Sequence, residues 1–98
     1  MSLLISRQIK SEVDDIWFYV ARESGSAEIA DRVVDAITDT FFQISKHPDL
    51  GRRRDDLRKS LRSITAGTYV VIYRVEKGDV RILHVLHGRR DLKTLLRQ

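Results

Sequence analysis

The chain has 98 residues, of which 42% are hydrophobic and 33% charged, and it contains no cysteine. This length suits one domain with a modest core, so we expect a single domain spanning residues 1–98. The lack of cysteine excludes disulfide bonds and thiol catalysis and argues against a zinc site. No apolar run reaches the roughly 20 residues of a membrane span, and the N-terminus lacks a signal-peptide pattern. We therefore expect a cytoplasmic protein with no membrane partner.

The charge is unevenly distributed along the chain. Residues 1–51 carry five Lys/Arg and nine Asp/Glu, a balance of −4, whereas residues 52–98 carry thirteen and five, a balance of +8. Two explanations remain open: an acidic or phosphate-bearing partner binds the C-terminal half, or an acidic helical layer pairs with a basic sheet inside the domain.

The N-terminal half predicts a short strand followed by two helices. Residues 3–5 are apolar and strand-like, and Ser6 offers an N-cap for a helix that runs to about Glu23. Ser26 can cap a second helix, which must end before Pro48 because proline cannot continue it. The three-residue break between the helices predicts an antiparallel hairpin.

The C-terminal half predicts a loop and then an antiparallel sheet. Residues 49–59 are polar and highly charged, which is typical of a loop, and residues 61–65, 69–75 and 80–87 are rich in Val, Ile and Tyr, as strands are. Asp91 can cap a final helical turn that carries Leu92, Leu95 and Leu96. The order βααβββ predicts an α+β domain, with the helix hairpin packed on one face of a three-stranded meander.

Strand parity predicts which side chains share a face. With residues 76–79 as the turn, Arg74 opposes Arg81, and Val71 opposes His84. The row with the two arginines would also hold Val70, Ile72, Leu83 and Val85. Like charges that oppose each other need an anion between them. That anion could be a carboxylate of this chain, a partner's Asp or Glu, or a phosphate.

Basic groups are the main candidates for a site. Six of them lie on or beside the predicted sheet: Arg62, Arg74, Arg81, His87, Arg89 and Arg90. His84 and His87 should point to opposite strand faces, so they cannot chelate one ion together, and we expect no metal site. His87 beside two arginines could act as a general acid or base, or could simply cap the strand end.

Other signatures are missing from the sequence. It has no Gly-rich phosphate loop, no HExxH and no GxSxG motif, so we expect no cofactor. The run Arg52-Arg53-Arg54 could contact a nucleic-acid backbone, but an isolated run in a loop is a weak signal. We do not expect this chain alone to bind DNA sequence-specifically.

Several short segments occur in an order that matches a known family. They are Gly51-Arg52, Leu61-Arg62-Ser63, Gly67-x-Tyr69, Tyr73-Arg74-Val75 and Val85-Leu86-His87-Gly88-x-Arg90-Asp91. Together they resemble the ParE branch of the RelE/ParE toxin superfamily, and Asp15-Ile16-Trp17-x-Tyr19-Val20 is similar to its first helix. The resemblance covers nearly the whole chain.

This resemblance implies a toxin of a type II toxin–antitoxin module, with growth arrest and plasmid stabilisation as its effects. Its partner would be a cognate ParD-like antitoxin whose acidic C-terminal tail folds onto the basic sheet side. An amphipathic helix of the antitoxin would dock on the helix hairpin, where the candidate residues are Trp17, Phe18, Tyr19 and Phe42. The candidates for contact with the antitoxin or the target are Arg62, Arg74, Arg81, His84, His87, Arg89 and Arg90.

The superfamily has two activities, and the sequence favours one of them. RelE-type members cleave mRNA on the ribosome; they commonly carry Arg where this chain has Val70 and a C-terminal Tyr near the place of Leu96. Such a nuclease would rely here on His87, Arg90 and Arg62. Since base and acid groups are largely missing, the resemblance favours ParE-type trapping of DNA gyrase without chemistry by the toxin. A non-toxic relic that still binds antitoxin is the third possibility.

One position departs from the ParE pattern. ParE-like sequences often have Arg where this chain has His84. Histidine would replace a permanent charge by one that depends on pH, so potency or target choice could differ.

Overall fold

A computed structural model describes residues 2–88 as a helix hairpin packed on one face of a five-stranded sheet. The elements are β1 Leu3–Leu4, α1 Arg7–Ser24, α2 Ala27–Lys46, β2 Arg52–Arg53, β3 Leu61–Ala66, β4 Tyr69–Glu76 and β5 Asp79–His87. The α+β class and the helix hairpin are confirmed. The expected helical turn after Asp91 lies outside the described residues.

Both helices begin and end where the sequence predicts. The Oγ atoms of Ser6 and Ser26 each accept a hydrogen bond, at 3.2 Å, from the backbone N–H three residues later. Gly25 ends α1 in the left-handed conformation with φ +68°, which glycine adopts at low cost. Within residues 2–88, neither helix has the length and apolar composition that a membrane span requires.

One strand was not predicted. Arg52 and Arg53 form β2, which pairs antiparallel with Ser63 and Arg62 of β3, inside the segment expected to be a loop. Two exposed arginines carry no apolar alternation, so this strand has no local sequence signal. The strand forms because contacts with the sheet hold the chain alongside β3.

The strand order is β1-β5-β4-β3-β2, with β1 parallel to β5 and the other neighbours antiparallel. Arg74 opposes Arg81, as parity predicts. A β-bulge then shifts the register, so that Tyr73 opposes Ile82 while its neighbour Ile72 opposes His84. Leu83 is the extra residue on β5.

The bulge makes two of the parity predictions wrong. Val71 opposes Val85 and not His84. Val85 faces the helices and is buried, instead of sharing the face of the two arginines. Val80, Ile82 and Val85 all pack in the core. Positions 82 and 85 are three apart, and in a regular strand their side chains would point to opposite faces. The extra residue in the bulge lets both side chains face the helices.

The core lies between the hairpin and one sheet face. It contains Ile9, Ile16, Ile37, Phe41, Ile44, Ala66, Tyr69, Val71, Tyr73, Val80, Ile82 and Val85. We call this sheet surface the helix face, and the opposite one, with Ile72, Arg74 and Arg81, the outer face. Residues opposed across the ladder share a face, so the register assigns each site candidate to one of the two.

Candidate functional site

The structure does not bring the basic candidates together on one surface. Arg74 and Arg81 oppose each other on the outer face. Arg62 opposes Tyr73, and His87 opposes Tyr69, which places both on the helix face. The remaining candidates, Arg89 and Arg90, lie outside the described residues.

A carboxylate of this chain occupies the place between the two opposed arginines. Arg74 Nη1 donates to Glu76 Oε1 at 2.9 Å, and Arg81 Nε lies 3.5 Å from Glu76 Oε2. The hydrogen bond from Arg74 and the charge of both arginines lower the pKa of Glu76. A carboxylate of this chain therefore explains the arginine pair, and Asp79, which opposes Glu76, adds a second negative charge to the same face.

Glu76 was missed as a site residue, although a sequence signal for it exists. Positions 74 and 76 of one strand share a face, so Glu76 is the nearest carboxylate to Arg74 and sits beside Arg81 across the turn. The exposed fractions of the Arg74, Arg81 and Glu76 side chains are 31%, 47% and 39%. Ion pairs this exposed contribute little stability, so a partner could rearrange them at low cost.

Arg62 has a structural role. Its Nη1 donates to the Gly51 carbonyl oxygen at 2.8 Å, and its Nη2 lies 3.6 Å from Asp49 Oδ1. The guanidinium is thereby directed at the segment that leads from α2 into β2. A side chain held in this way stabilises the loop.

Tyr73 holds the same segment from inside the core. Its Oη donates to the Pro48 carbonyl oxygen at 2.7 Å and accepts from the Gly51 N–H at 2.8 Å. Burial of the phenol raises the pKa of Tyr73. We call Tyr73, Arg62 and the Pro48–Gly51 segment the loop clasp. Sequence reasoning did not find the loop clasp, because the two hydrogen-bond partners of Tyr73 lie 22 and 25 positions away from it in the sequence.

The two histidines lie on opposite sheet faces and have different neighbours. His84 opposes Ile72, and its Nδ1 lies 3.9 Å from Glu12 Oε1 of α1. The ring of His87 meets the ring of Tyr69 edge to face, with 5.2 Å between centroids. They do not share a site.

The arginine run at β2 is largely paired within the chain. Arg54 makes two hydrogen bonds to Asp56, at 2.9 and 2.8 Å, and Arg53 Nη2 lies 3.2 Å from Asp55 Oδ2. The Arg54 hydrogen bond lowers the pKa of the Asp56 carboxyl. These pairs reduce the charge that the run could offer to a nucleic-acid backbone.

The aromatic candidates on the hairpin divide into a structural residue and exposed ones. Trp17 is half-buried, and its Nε1–H donates to Asp31 Oδ1 of α2 at 2.7 Å, which ties the two helices together. Phe18 is 67% exposed, and its ring meets the Trp17 ring edge to face, with a centroid distance of 5.2 Å. Tyr19 is 49% exposed, with the Arg22 guanidinium 6.0 Å from its ring centroid. Phe18 and Tyr19 are thus available to a partner.

Phe42 belongs to a separate part of the hairpin. It is 56% exposed on α2. It lies seventeen positions after Gly25, whereas Phe18 lies seven before it. At about 1.5 Å of rise per residue, the two rings are separated by roughly 15 Å along the hairpin axis. A partner helix of about three turns or more would be needed to contact both.

A small apolar cleft lies between α2 and the β3–β4 turn. Its volume is about 260 Å³, and its lining is Ile29, Arg32, Val33, Ala36, Ala66, Gly67, Thr68 and Tyr69. Ile29 at its rim is 44% exposed. The cleft has room for one apolar side chain, and it adds to the exposed apolar surface of the hairpin.

The family model of the ParE toxin of type II toxin–antitoxin system, parDE, matches residues 3–92. The chain belongs to this ParE toxin family. Toxin ParE1 of Caulobacter vibrioides is 36% identical over 92 residues, covering 94% of this chain and 94% of that protein. Toxin ParE3 of the same organism is 33% identical over 91 residues, covering 93% and 90%.

The fold is also found in a solved toxin–antitoxin structure. A chain of the chromosomal ParDE TA system from P. aeruginosa superposes with a TM-score of 0.79 at 21% identity, over 91% of this chain and 97% of that one. At this identity the likeness establishes the fold alone. The ParE-type fold predicted from the resemblance is therefore confirmed.

Proposed function

We propose that this ParE-family toxin inhibits DNA gyrase and is neutralised by a cognate ParD-like antitoxin with an acidic C-terminal tail. The observation that carries the choice between a gyrase-binding and a nuclease toxin is the position of Arg62. Its guanidinium donates to the Gly51 carbonyl oxygen inside the loop clasp, where it supports the fold. The proposal assigns this protein a binding function and no reaction of its own.

The chemistry of RNA cleavage supports the same choice. Attack by a ribose 2′-hydroxyl needs a base, an acid and stabilisation of charge on the phosphate. Val70, at the position where RelE-type members commonly carry Arg, opposes Leu86 on the outer face. Arg74 and Arg81 share Glu76, and His87 packs on Tyr69. These contacts fit a binding surface better than a catalytic centre.

The antitoxin part of the proposal is supported by exposed surface of two kinds. The hairpin exposes Phe18, Tyr19 and Phe42, and the 260 Å³ cleft lies at the edge of α2. The arginine pair of the outer face is partly exposed, at 31% for Arg74 and 47% for Arg81. An amphipathic helix followed by an acidic extended tail would match both surfaces.

The test of the target is a supercoiling assay with purified toxin and gyrase. We expect loss of supercoiling and accumulation of cleaved DNA, and growth arrest when the toxin is expressed without antitoxin. Arg81→Glu on the outer face should weaken the inhibition, whereas Arg58→Glu in the exposed loop should not. Full gyrase activity at excess toxin, together with codon-linked ends in cellular transcripts, would establish a nuclease in its place. Unimpaired growth with abundant folded toxin would establish a relic.

A further inference from the structure

A second pair of opposed arginines lies on the helix face, at the start of β3. Arg53 of β2 opposes Arg62 of β3. Arg62 in turn opposes Tyr73, so both guanidinium groups belong to the helix face. Side chains opposed in this way have Cβ atoms about 5 Å apart, and like charges at that distance repel each other. This pair therefore favours an anion nearby, as the Arg74–Arg81 pair does.

No carboxylate among residues 2–88 bridges this second pair, in contrast to Glu76 on the outer face. Arg53 Nη2 lies 3.2 Å from Asp55 Oδ2. Arg62 Nη2 lies 3.6 Å from Asp49 Oδ1. The two carboxylates are 55% and 96% exposed, and ion pairs this exposed contribute little stability. An anion that contacts both guanidinium groups can therefore displace them at low cost.

The two arginines line an open cavity of about 430 Å³, which we call the arginine cavity. Besides Arg53 and Arg62, its lining comprises Pro48, Asp49, Ser60, Leu61 and Val75. Cavities that bind small ligands commonly have volumes of about 300–1,000 Å³. The arginine cavity thus has room for an anionic group and for a larger body attached to it.

The lining indicates which anion fits. Ser60 has a φ of +71°, a left-handed conformation that serine adopts only at a cost, and its hydroxyl group adds a donor beside the two guanidinium groups. A phosphate group offers three oxygen acceptors and more negative charge than a carboxylate, so it matches this donor set better. Pro48, Leu61 and Val75 provide apolar contact for a sugar or base.

We propose that the arginine cavity binds the phosphate group of a nucleotide, with Arg53 and Ser60 as its main contacts. Arg62 keeps Nη1 on the Gly51 carbonyl oxygen and offers Nη2 to the phosphate in place of Asp49. A free nucleotide and a DNA strand present the same phosphate chemistry, and the experiment distinguishes these two sources. The site does not depend on the proposed function, since neither gyrase nor an antitoxin enters the argument.

The experiment is a calorimetric titration of the purified toxin at constant ionic strength, because salt screens exposed charges. The probes are adenosine monophosphate, inorganic phosphate, adenosine and a short single-stranded DNA oligonucleotide. We expect adenosine monophosphate to bind more tightly than inorganic phosphate, and adenosine not to bind. Tighter binding of the oligonucleotide than of adenosine monophosphate would identify DNA as the source, and the reverse order would identify a free nucleotide.

Variants on the two sides of β2 test the position of the site. Arg53→Gln should weaken binding of adenosine monophosphate about tenfold or more, because a charge-assisted hydrogen bond is lost. Arg52→Gln is the matched control: it removes the same charge from the neighbouring position, which opposes Ser63 on the outer face. Its affinity should equal that of the wild type. Asp49→Asn should tighten binding, since the carboxylate that competes for Arg62 is removed.

Ser60→Gly separates binding from folding. Glycine adopts a positive φ at low cost, so this variant should lose affinity without losing stability. Arg53 is 70% exposed, so Arg53→Gln should fold as the wild type does, and circular dichroism checks both variants.

Three results would overturn the proposal. The folded wild type binds no adenosine monophosphate, or Arg53→Gln and Arg52→Gln lose affinity equally, which would indicate general charge attraction. In the third, inorganic phosphate binds as tightly as adenosine monophosphate, which would exclude a nucleotide as the ligand.

Discussion

The backbone N–H of Gly51 donates to the phenolic oxygen of Tyr73 at 2.8 Å. A Cβ atom at position 51 would lie 2.5 Å from that oxygen, so only glycine allows the loop backbone to approach this closely. The same phenol donates to the Pro48 carbonyl oxygen at 2.7 Å. One buried side chain of β4 thus fixes the path of the chain from α2 into β2.

Replacing Tyr73 by Phe should destabilise the protein by about 1–3 kcal/mol, because the partly buried Pro48 carbonyl and the buried Gly51 N–H lose their partner. Urea unfolding followed by circular dichroism measures the change. Tyr19→Phe is the control, since Tyr19 is 49% exposed and should change stability little. Equal stability of the two variants would show that the hydroxyl group of Tyr73 contributes nothing to stability.

The same phenol should make stability depend on alkaline pH. Burial raises the folded-state pKa of Tyr73 above its ordinary value. The folded protein therefore holds this proton more tightly, and its stability falls as pH rises past about 10, the unfolded pKa. Unfolding free energies at several values between pH 8 and 11 should fall more steeply for the wild type than for Tyr73→Phe. Parallel curves would contradict the assignment.

Gly51→Ala should destabilise the protein by about 1–3 kcal/mol, the usual cost of overpacking, because the new methyl group collides with the Tyr73 ring. The melting temperature in thermal unfolding measures the loss of stability. Leu50→Ala at the exposed neighbouring position tests whether any change in this loop has the same effect. A smaller loss for Gly51→Ala than for Leu50→Ala would argue against the close contact.

Glu76→Gln should remove a pH-dependent part of the stability. The pKa of Glu76 is lowered by Arg74 and Arg81, so its contribution is present above the unfolded pKa of about 4.3 and is lost as pH falls through the folded value. Unfolding at pH 7 and at pH 3 should show a difference between wild type and variant that shrinks on acidification. Glu23→Gln, exposed on α1, should show no such trend.

Replacing Phe18 or Phe42 by Ser should weaken antitoxin binding about tenfold or more, since exposed aromatic rings often carry a large share of interface energy. Calorimetric titration with the antitoxin measures the affinity of each variant. Gln43→Ser, beside Phe42 on the exposed side of α2, should leave the affinity unchanged. A loss at Phe18 alone would mean that the partner helix covers only the end of the hairpin near Gly25.

The sequence predicted the elements that depend on local patterns. Ser6 and Ser26 cap the helices, and Pro48 stops the second one, because capping and backbone restriction act within a few residues. The opposition of Arg74 and Arg81 also followed, since it lies next to a short turn that fixes the register.

Further from that turn, the same reasoning failed. The bulge at Leu83 places Val85 opposite Val71 of β4 and in the core under the helix hairpin. Strand parity alone does not predict such a bulge. The strand Arg52–Arg53 follows the loop clasp, whose members come from the segment after α2, from β3 and from β4. Neither feature leaves a periodic signal.

The sequence by itself determined the fold class, the helix hairpin and, through the order of its segments, the ParE family. Only the tertiary structure decided what the charged residues do: Arg62 supports a loop, Arg74 and Arg81 share Glu76, and Glu12 accepts a hydrogen bond from the Val85 N–H of β5. The reason is physical. Local propensity acts between neighbours, whereas the partner of a charged side chain is selected by packing that joins residues as far apart as Glu12 and Val85.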